Sequence, residues 1–437
     1  MALRCWPLLV LLTAGGCGGG GAATPGVPPA DAVMAAPADA SGAAPAHASA
    51  RDAAVADGGP VQPGVDAAPA VDPSAVVFDR GRMHELAITV AAADVAKLDT
   101  VMDRVPATVT FDGTTLTNVG VRNKGMSSLK PASGKLSFSI KFDELVPKQR
   151  LFGLKKLIVN NEVQDPTWVT ELYTYDTFVR AGVPAARVAY AQVTFNGTPK
   201  GIYNLVEAID TRFLERAFGQ GGSGGNLYEG PWEFTDPPSK IELKNEVQDM
   251  RSRADLIALA DAVVNAPDAM LAAQVGAHLD LDAFMRFFAV EAAVDAWDGY
   301  TWDAWNFYLY DHPKDGRFVF IPTGANWPLF EPRLDPFAID VDLWKDGTPG
   351  GFLCRRLLKV PALQAQYRAA LGRVARDALD VPALHASFDQ VKGVFHGIAR
   401  SDAATRADVA TFDDHIADAY AFVEQRKAFL VQLLGAK

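Results

Sequence analysis

The stretch from Trp297 to Trp327 constrains this chain most. Upstream of it Phe284, Phe287, Phe288, Glu291, Ala292 and Asp295 recur at helical spacing, so a helix delivers the chain to Trp297-Asp298-Gly299-Tyr300. Asn306 then opens an apolar run, Phe307 to Tyr310, and a second run follows from Arg317 to Ile321. The connection between the runs, Asp311 to Gly316, holds a Pro and a Gly and reads as a hairpin. A helix feeding such a ribbon brings Asp298, Asn306 and the residues after Pro322 to one end of it. An acid, an amide and a third oxygen at adjacent loop ends can position a nucleophile and hold a hard cation such as Mg2+.

The chain before this stretch reads first as strands. His84 to Val90 alternates, and Ala92 to Met102 reads as a short helix. Pro106 to Phe111 and Thr115 to Val121 flank an Asp-Gly turn. The second of these strands runs into Arg122-Asn123-Lys124-Gly125-Met126-Ser127-Ser128. A loop of Lys, Gly and Ser between strands can fold over phosphates, and as a bare pattern it equally describes a surface turn. Lys135 to Asp143 and Phe152 to Asn161 are further strands, the latter ending in paired amides. Asp165 reads as the cap of a helix with Pro166 at its first position and Glu171 on the edge of its apolar face. An exposed helical Glu is the plainer reading of that position. Tyr190 to Phe195 and Gly201 to Val206 flank Asn196-Gly197, the strongest hairpin signal in the chain. Beyond Glu207-Ala208-Ile209-Asp210 the pattern turns helical, and Phe352 to Lys437 is helical with breaks at Pro361 and Pro382.

The 437 residues carry a formal net charge of -11, which argues against a nucleic-acid partner. Of three cysteines, Cys5 and Cys17 lie at the extreme N-terminus, so Cys354 reads as a lone core thiol. Arg4, the apolar run Leu8 to Leu12, and small residues before Cys17 form a secretory signal over residues 1–17. Its end is similar to a bacterial lipobox, with Ala14 where Leu is usual, so a lipid anchor at Cys17 is expected. Residues 18–76, rich in Ala, Pro, Gly and Asp, read as a disordered spacer. The folded part is expected to begin at residue 77, in an exported protein tethered to a membrane.

Taken together, the pieces between Phe78 and Phe330 resemble the CotH family, the spore-coat-protein-H kinases, which are atypical protein kinases. The resemblance is carried by Val121 to Ser128, Lys135 to Asp143, Phe152 to Asn161 and Ala181-Gly182-Val183-Pro184. Gly201 to Asp210, Trp297 to Tyr300 and Asn306 to Tyr310 complete it. It implies an α+β, divergent protein-kinase-like fold: an N-terminal antiparallel-sheet lobe at residues 77–206 and a C-terminal helical lobe at 207–437. Glu207 to Asp210 would be the hinge beside the nucleotide. In family terms Lys124 and Ser127 lie near the phosphates of ATP. Lys135 or Lys141 is the strand lysine and Glu171 its partner. Asp298 orients the acceptor hydroxyl and Asn306 ligates Mg2+ or Mn2+. The family also places a metal-binding Asp just after the second ribbon strand. Gly324 and Asn326 occupy the two candidate positions here, leaving the Asn326 amide as the ligand, with Asp335, Asp340 and Asp342 downstream. Thr170 stands where the family frequently has an arginine. The implied activity is phosphoryl transfer to Ser or Thr of a protein at the cell envelope, impaired by the missing Asp. The alternative is a degenerate kinase fold serving as a surface binding or structural module. Trp297, Trp302, Trp305 and Trp327 would also suit a sugar-stacking face, with Asp298 and Asp303 as the local carboxylate pair, although core packing is the ordinary role of such residues.

Overall fold

In this computed structural model, residues 72–100, 103–125, 128–245, 253–327, 329, 333–339 and 350–435 are described. The leader, most of the spacer and Cys17 lie outside these residues, as do Ser127, Asp340 and Asp342.

The described residues begin at Asp72, within the stretch read as spacer. Asp72 caps a 3-10 turn at Pro73–Phe78 through Ser74 and pairs with Arg187 at 2.9 Å. Seven strands then close into a barrel: β1 (Met83–Val90), β2 (Val105–Phe111), β3 (Thr114–Lys124), β4 (Ser137–Lys141), β5 (Lys156–Asn160), β6 (Val188–Phe195) and β7 (Thr198–Glu207). The order around it is β1-β2-β3-β4-β5-β7-β6. The expectation from sequence is an antiparallel-sheet lobe. The difference is one parallel contact, β1 with β6 from Met83↔Tyr190 to Ile88↔Phe195, which closes the sheet and leaves it no edge. The barrel is filled by alternating residues such as Val109, Phe111, Val121, Phe138, Ile140 and Val159. The expected helix near residue 92 is two single turns, α1 (Ala92–Val95) and α2 (Lys97–Thr100). The Asn196-Gly197 turn forms as expected, both residues left-handed at φ 47 and 76. His84 is buried in β1 and holds Asp112 at 2.7 Å, a structural role.

Between β5 and β6 lies α3 (Thr170–Arg180), which starts four residues later than the expected position at Pro166. Asp165 still serves as a cap, but to a turn first: its carboxylate accepts from Thr167 N at 2.9 Å and from Thr170 N at 2.9 Å. After α4 (Thr211–Phe218) come β8 (Leu227–Glu229), β9 (Glu242–Leu243), α5 (Ala254–Asn265), α6 (Leu271–Gly276), α7 (Leu281–Val294), α8 (Tyr300–Asp303), β10 (Phe307–His312) and β11 (Arg317–Pro322). The ribbon β10–β11 is part of a four-stranded sheet ordered β11-β10-β8-β9, so the C-terminal half is not purely helical. Four longer helices follow: α9 (Phe352–Lys359), α10 (Pro361–Arg373), α11 (Val381–Gly397) and α12 (Ala403–Leu434). Pro361 and Pro382 open α10 and α11, where a missing N–H costs nothing.

One apolar core runs from α3 through α7, the small sheet and α9 to α12. Trp302 and Trp327 are buried in it, which removes two of the four rings from any sugar-stacking face. Cys354 is buried there as a free thiol. From α12, Asp408 reaches the barrel, accepting from Ile202 N at 2.7 Å.

Candidate active site

β5 and β7 are adjacent antiparallel strands, and Asn160 and Asn204 stand directly opposite each other on them. Both amides point to the same acid. Asn160 Nδ2 donates to Glu171 Oε1 at 2.9 Å, and Asn204 Nδ2 donates to Glu171 Oε2 at 3.2 Å. Lys124, the last residue of β3, donates from Nζ to Asn160 Oδ1 at 2.6 Å. Asn160 therefore stands between a lysine and a glutamate and holds both. Glu171 is fully buried, not exposed on a helix edge. Burial pushes its carboxyl up, against the opposing pull of Lys124 and the two amides. Burial likewise pushes the Lys124 ammonium down, while Glu171 and Glu162 pull it back.

Glu162 completes this cluster, and nothing in the sequence pattern singled it out. It is buried in a left-handed conformation at φ 52. Neither carboxylate oxygen has a hydrogen-bond partner. Burial drives its carboxyl well up, and the neighbouring Glu171 and Asp165 carboxylates drive it further.

The opposite side is built by the end of α7 and the small sheet. Glu291, buried on α7, accepts from Tyr300 N at 3.0 Å, Thr301 N at 2.8 Å and Thr301 Oγ1 at 2.6 Å. These bonds fold the loop bearing Asp298 against the helix, and a Cβ on Gly299 would overlap Glu291 Oε1. Burial raises the Asp298 carboxyl to about 6, against hydrogen bonds with Asn306 and Asp303. Asn306, left-handed at φ 55, donates from Nδ2 to the Asp298 carbonyl at 2.7 Å, and its own carbonyl accepts from Thr323 N at 3.0 Å. The convergence expected at the ribbon end is thus present. Tyr175 of α3 links this side to the lysine side. Its hydroxyl accepts from Ala325 N at 3.4 Å and lies within hydrogen-bonding reach of Thr323, while Glu171 and Glu162 are close enough to raise it.

Three expected nucleotide residues lie elsewhere. Lys135 is not on a strand. It pairs with Asp408 of α12 at 2.7 Å and stacks over Trp168 and Tyr203, because the chain between β3 and β4 turns it toward α12. Lys141 ends β4 on the outside and pairs with Glu144 at 2.7 Å. Neither meets Glu171, and the lysine nearest that acid is Lys124. Glu207 closes β7, where Arg187 and Arg216 hold its buried carboxylate at 2.7 and 2.6 Å. That pairing fixes the expected hinge and leaves no free carboxylate for a ligand. Asn326 is half-buried near the ribbon end. Asp335 is exposed and caps Phe337 N at 2.9 Å.

A divalent ion held after β11 fails a direct test of fit. Gly324 is left-handed at φ 64, and a Cβ there would overlap Asn306 Oδ1. The Asn306 amide fills the space that a side chain at position 324 would need. Asp298, hydrogen-bonded to Asp303, then stands beside two amides, and hard cations favour carboxylates. Among the described residues no group of three His, Cys, Asp or Glu side chains could hold a metal. The described residues do not fit the ion.

Comparison with known proteins places this geometry. The family model described as CotH kinase protein matches residues 121–430. The Inner spore coat protein H of Bacillus subtilis is 24% identical over 187 residues, covering 40% of this chain and 51% of that protein. The Inner spore coat protein H-like protein of the same organism is 23% identical over 245 residues, covering 55% and 68%. The chain thus spans about half the length of the first of these relatives. Among solved structures, the Helicobacter pylori proinflammatory kinase CtkA aligns over 68% of this chain and 94% of its own, at 9% identity and a TM-score of 0.28.

Proposed function

The chain belongs to the CotH kinase family, and on that premise we propose that it binds ATP between the Lys124 cluster and the Asp298 loop and transfers phosphate with reduced efficiency. The divergent kinase arrangement, a strand-built lobe followed by a helix-rich one, is part of this reading. The observation that carries it is the Lys124–Asn160–Glu171–Asn204 network, a strand-end cation fixed by a buried acid next to a loop bearing an acid and an amide. Lys124 would meet the phosphates, with Asn160 and Glu171 fixing its position. In the transfer step the bond from the γ-phosphorus to its bridging oxygen breaks and a bond to the acceptor hydroxyl oxygen forms. The hydroxyl proton passes to the Asp298 carboxylate. With its carboxyl at about 6, Asp298 is largely ionised at neutral pH and able to take that proton. The acceptor is a Ser or Thr of an envelope or coat protein, in keeping with the coat names of the relatives. Export and lipidation at Cys17 would bring the two together.

The absent acid at Gly324 favours a second reading, a kinase fold retained as a surface binding or structural module. Thermal unfolding of the full chain with ATP separates the two, because a ligand of the native state raises the midpoint. The proposal expects a rise with or without Mg2+ that is lost in Lys124→Met. No rise at millimolar ATP would sink it and leave the module.

A further inference from the structure

The folded part neutralises many of its arginines internally. Arg80 pairs with Asp176 at 2.7 Å and Arg187 with Glu207 at 2.7 Å, and Arg356 pairs with Asp268 at 3.0 Å. Two of the arginines without such a partner lie together. A cavity of about 290 Å3 opens between α7 and α10, lined by Asp282, Met285, Arg286, Gln366, Ala369 and Arg373. The spacing explains the lining: Asp282, Met285 and Arg286 share one face of α7, and Gln366, Ala369 and Arg373 share one face of α10. The side chains of Arg286, Arg373 and Gln366 make no hydrogen bond or ion pair with another described residue. Asp282 makes none either, so it offsets one of the two positive charges without occupying a guanidinium. The lining is therefore net positive by one charge in a chain whose own net charge is -11.

We propose that this cavity is an anion site for a phosphate-class dianion. Two guanidiniums on different helices offer forks of N–H donors from two directions, which suits a tetrahedral oxyanion. Gln366 adds an amide donor. Met285 is buried beneath these groups, while Arg373 and Gln366 are exposed and open to a ligand from solvent. The site is separate from the candidate active site. Arg286 lies eight residues before the end of α7, about 12 Å along the helix, ahead of the loop that bears Asp298. The phosphate is either the free ion or a phosphorylated side chain of a partner, and the two share this recognition chemistry.

Unfolding of the full chain in inorganic phosphate, against chloride at matched ionic strength, tests it. The expected result is a dose-dependent rise in midpoint. Arg286→Gln and Arg373→Gln should each weaken the apparent affinity about tenfold, and together they should abolish the rise. Arg373→Lys, which keeps the charge and loses the fork, should fall between. Lys124→Met should leave the rise intact, which makes the outcome independent of the ATP reading. The proposal is overturned by no phosphate-dependent rise, by a rise that survives the double substitution, or by one lost in Lys124→Met. A phosphoserine peptide that binds more tightly than inorganic phosphate identifies a protein-borne ligand, and equal affinity identifies the free ion; both outcomes support the site.

Discussion

Replacing Glu162 with Gln should stabilise the protein in a pH-dependent way. The wild-type carboxyl is buried, neither oxygen has a hydrogen-bond partner among the described residues, and burial holds its pKa well above the ordinary glutamate value. A group of this kind favours folding while it is neutral. Its contribution is fully present below the unfolded pKa and is lost as pH rises from about 4.5 through the folded value. Gln keeps the shape and has no proton to lose. At pH 5 the two proteins should agree within about 0.5 kcal/mol. By pH 8 the wild type should have lost about 2 kcal/mol relative to the variant, the middle of the range for a buried unsatisfied group. The span from residue 72 to residue 435 covers 364 positions. At roughly 2.1 cal/mol/K per residue, that difference is about 2.6 °C in midpoint. Scanning calorimetry of both proteins from pH 5 to pH 8 measures it. Relief of the repulsion from Glu171 acts in the same direction, while loss of the attraction to Lys124 and Lys135 opposes it, so the difference measured is the net of the two. An equal difference at pH 5 and pH 8, or a wild type that gains on the variant as pH rises, would refute the reasoning.

Three further outcomes are expected. Arg426 is fully buried on α12 and donates to the carbonyls of Ala292, of Ala293 at 3.3 Å and of Leu334 at 2.7 Å. Arg426→Met strands the last carbonyls of α7 and should cost about 3 kcal/mol, read as a shift in denaturation midpoint at constant slope. If transfer is detected, its kcat/KM should climb with pH to a plateau above the Asp298 value of about 6, and a limb unchanged in Asp298→Asn would assign that titration to another group. Gly324→Asp should lose about 1–3 kcal/mol, because the new side chain must adopt φ 64 and displace the Asn306 amide, and a neutral or stabilising result by calorimetry would show that the loop yields.

Much of the fold was legible wherever local chemistry decides structure. The Asn196-Gly197 turn and the ribbon β10–β11 are each set by a few adjacent residues. Barrel closure was not legible, because the pairing of β1 with β6 joins segments about a hundred residues apart and leaves no local trace. The site divides the same way. Asp298 and Asn306 come together because one helix and one hairpin force them to. The lysine beside Glu171 is set by which strand end faces α3, and periodicity carries no such information, so Lys135 and Lys141 were plausible while Lys124 holds the position. The paired amides Asn160-Asn161 were the visible signal. A strand rarely spends two buried positions on amides without partners to satisfy, and Asn160 in fact connects the lysine to the acid. Glu162 gave no signal, since a Glu after a strand is ordinarily a solvated turn residue.

At position 324, one of the two positions where the resemblance implies an acid, the loop itself disfavours a side chain. The backbone is left-handed at Asp295, Ala304, Asn306 and Gly324, all around the ribbon end. Three of these four are not glycine, so surrounding contacts must hold them there. Glu291 and the Asn306 amide supply such contacts on one side, and Tyr175 ties the loop after β11 to α3 on the other. Position 324 is the one of the four where a side chain would collide with its neighbour, and it carries the glycine. The loop has therefore settled around the Asn306 amide, and an acid returned to position 324 alone meets a space already filled. The Lys124 cluster is built by different strands and keeps its hydrogen bonds regardless. A nucleotide bound as proposed would meet Lys124 on the strand side, and for that reason metal-independent ATP binding tests the proposal more sharply than turnover does.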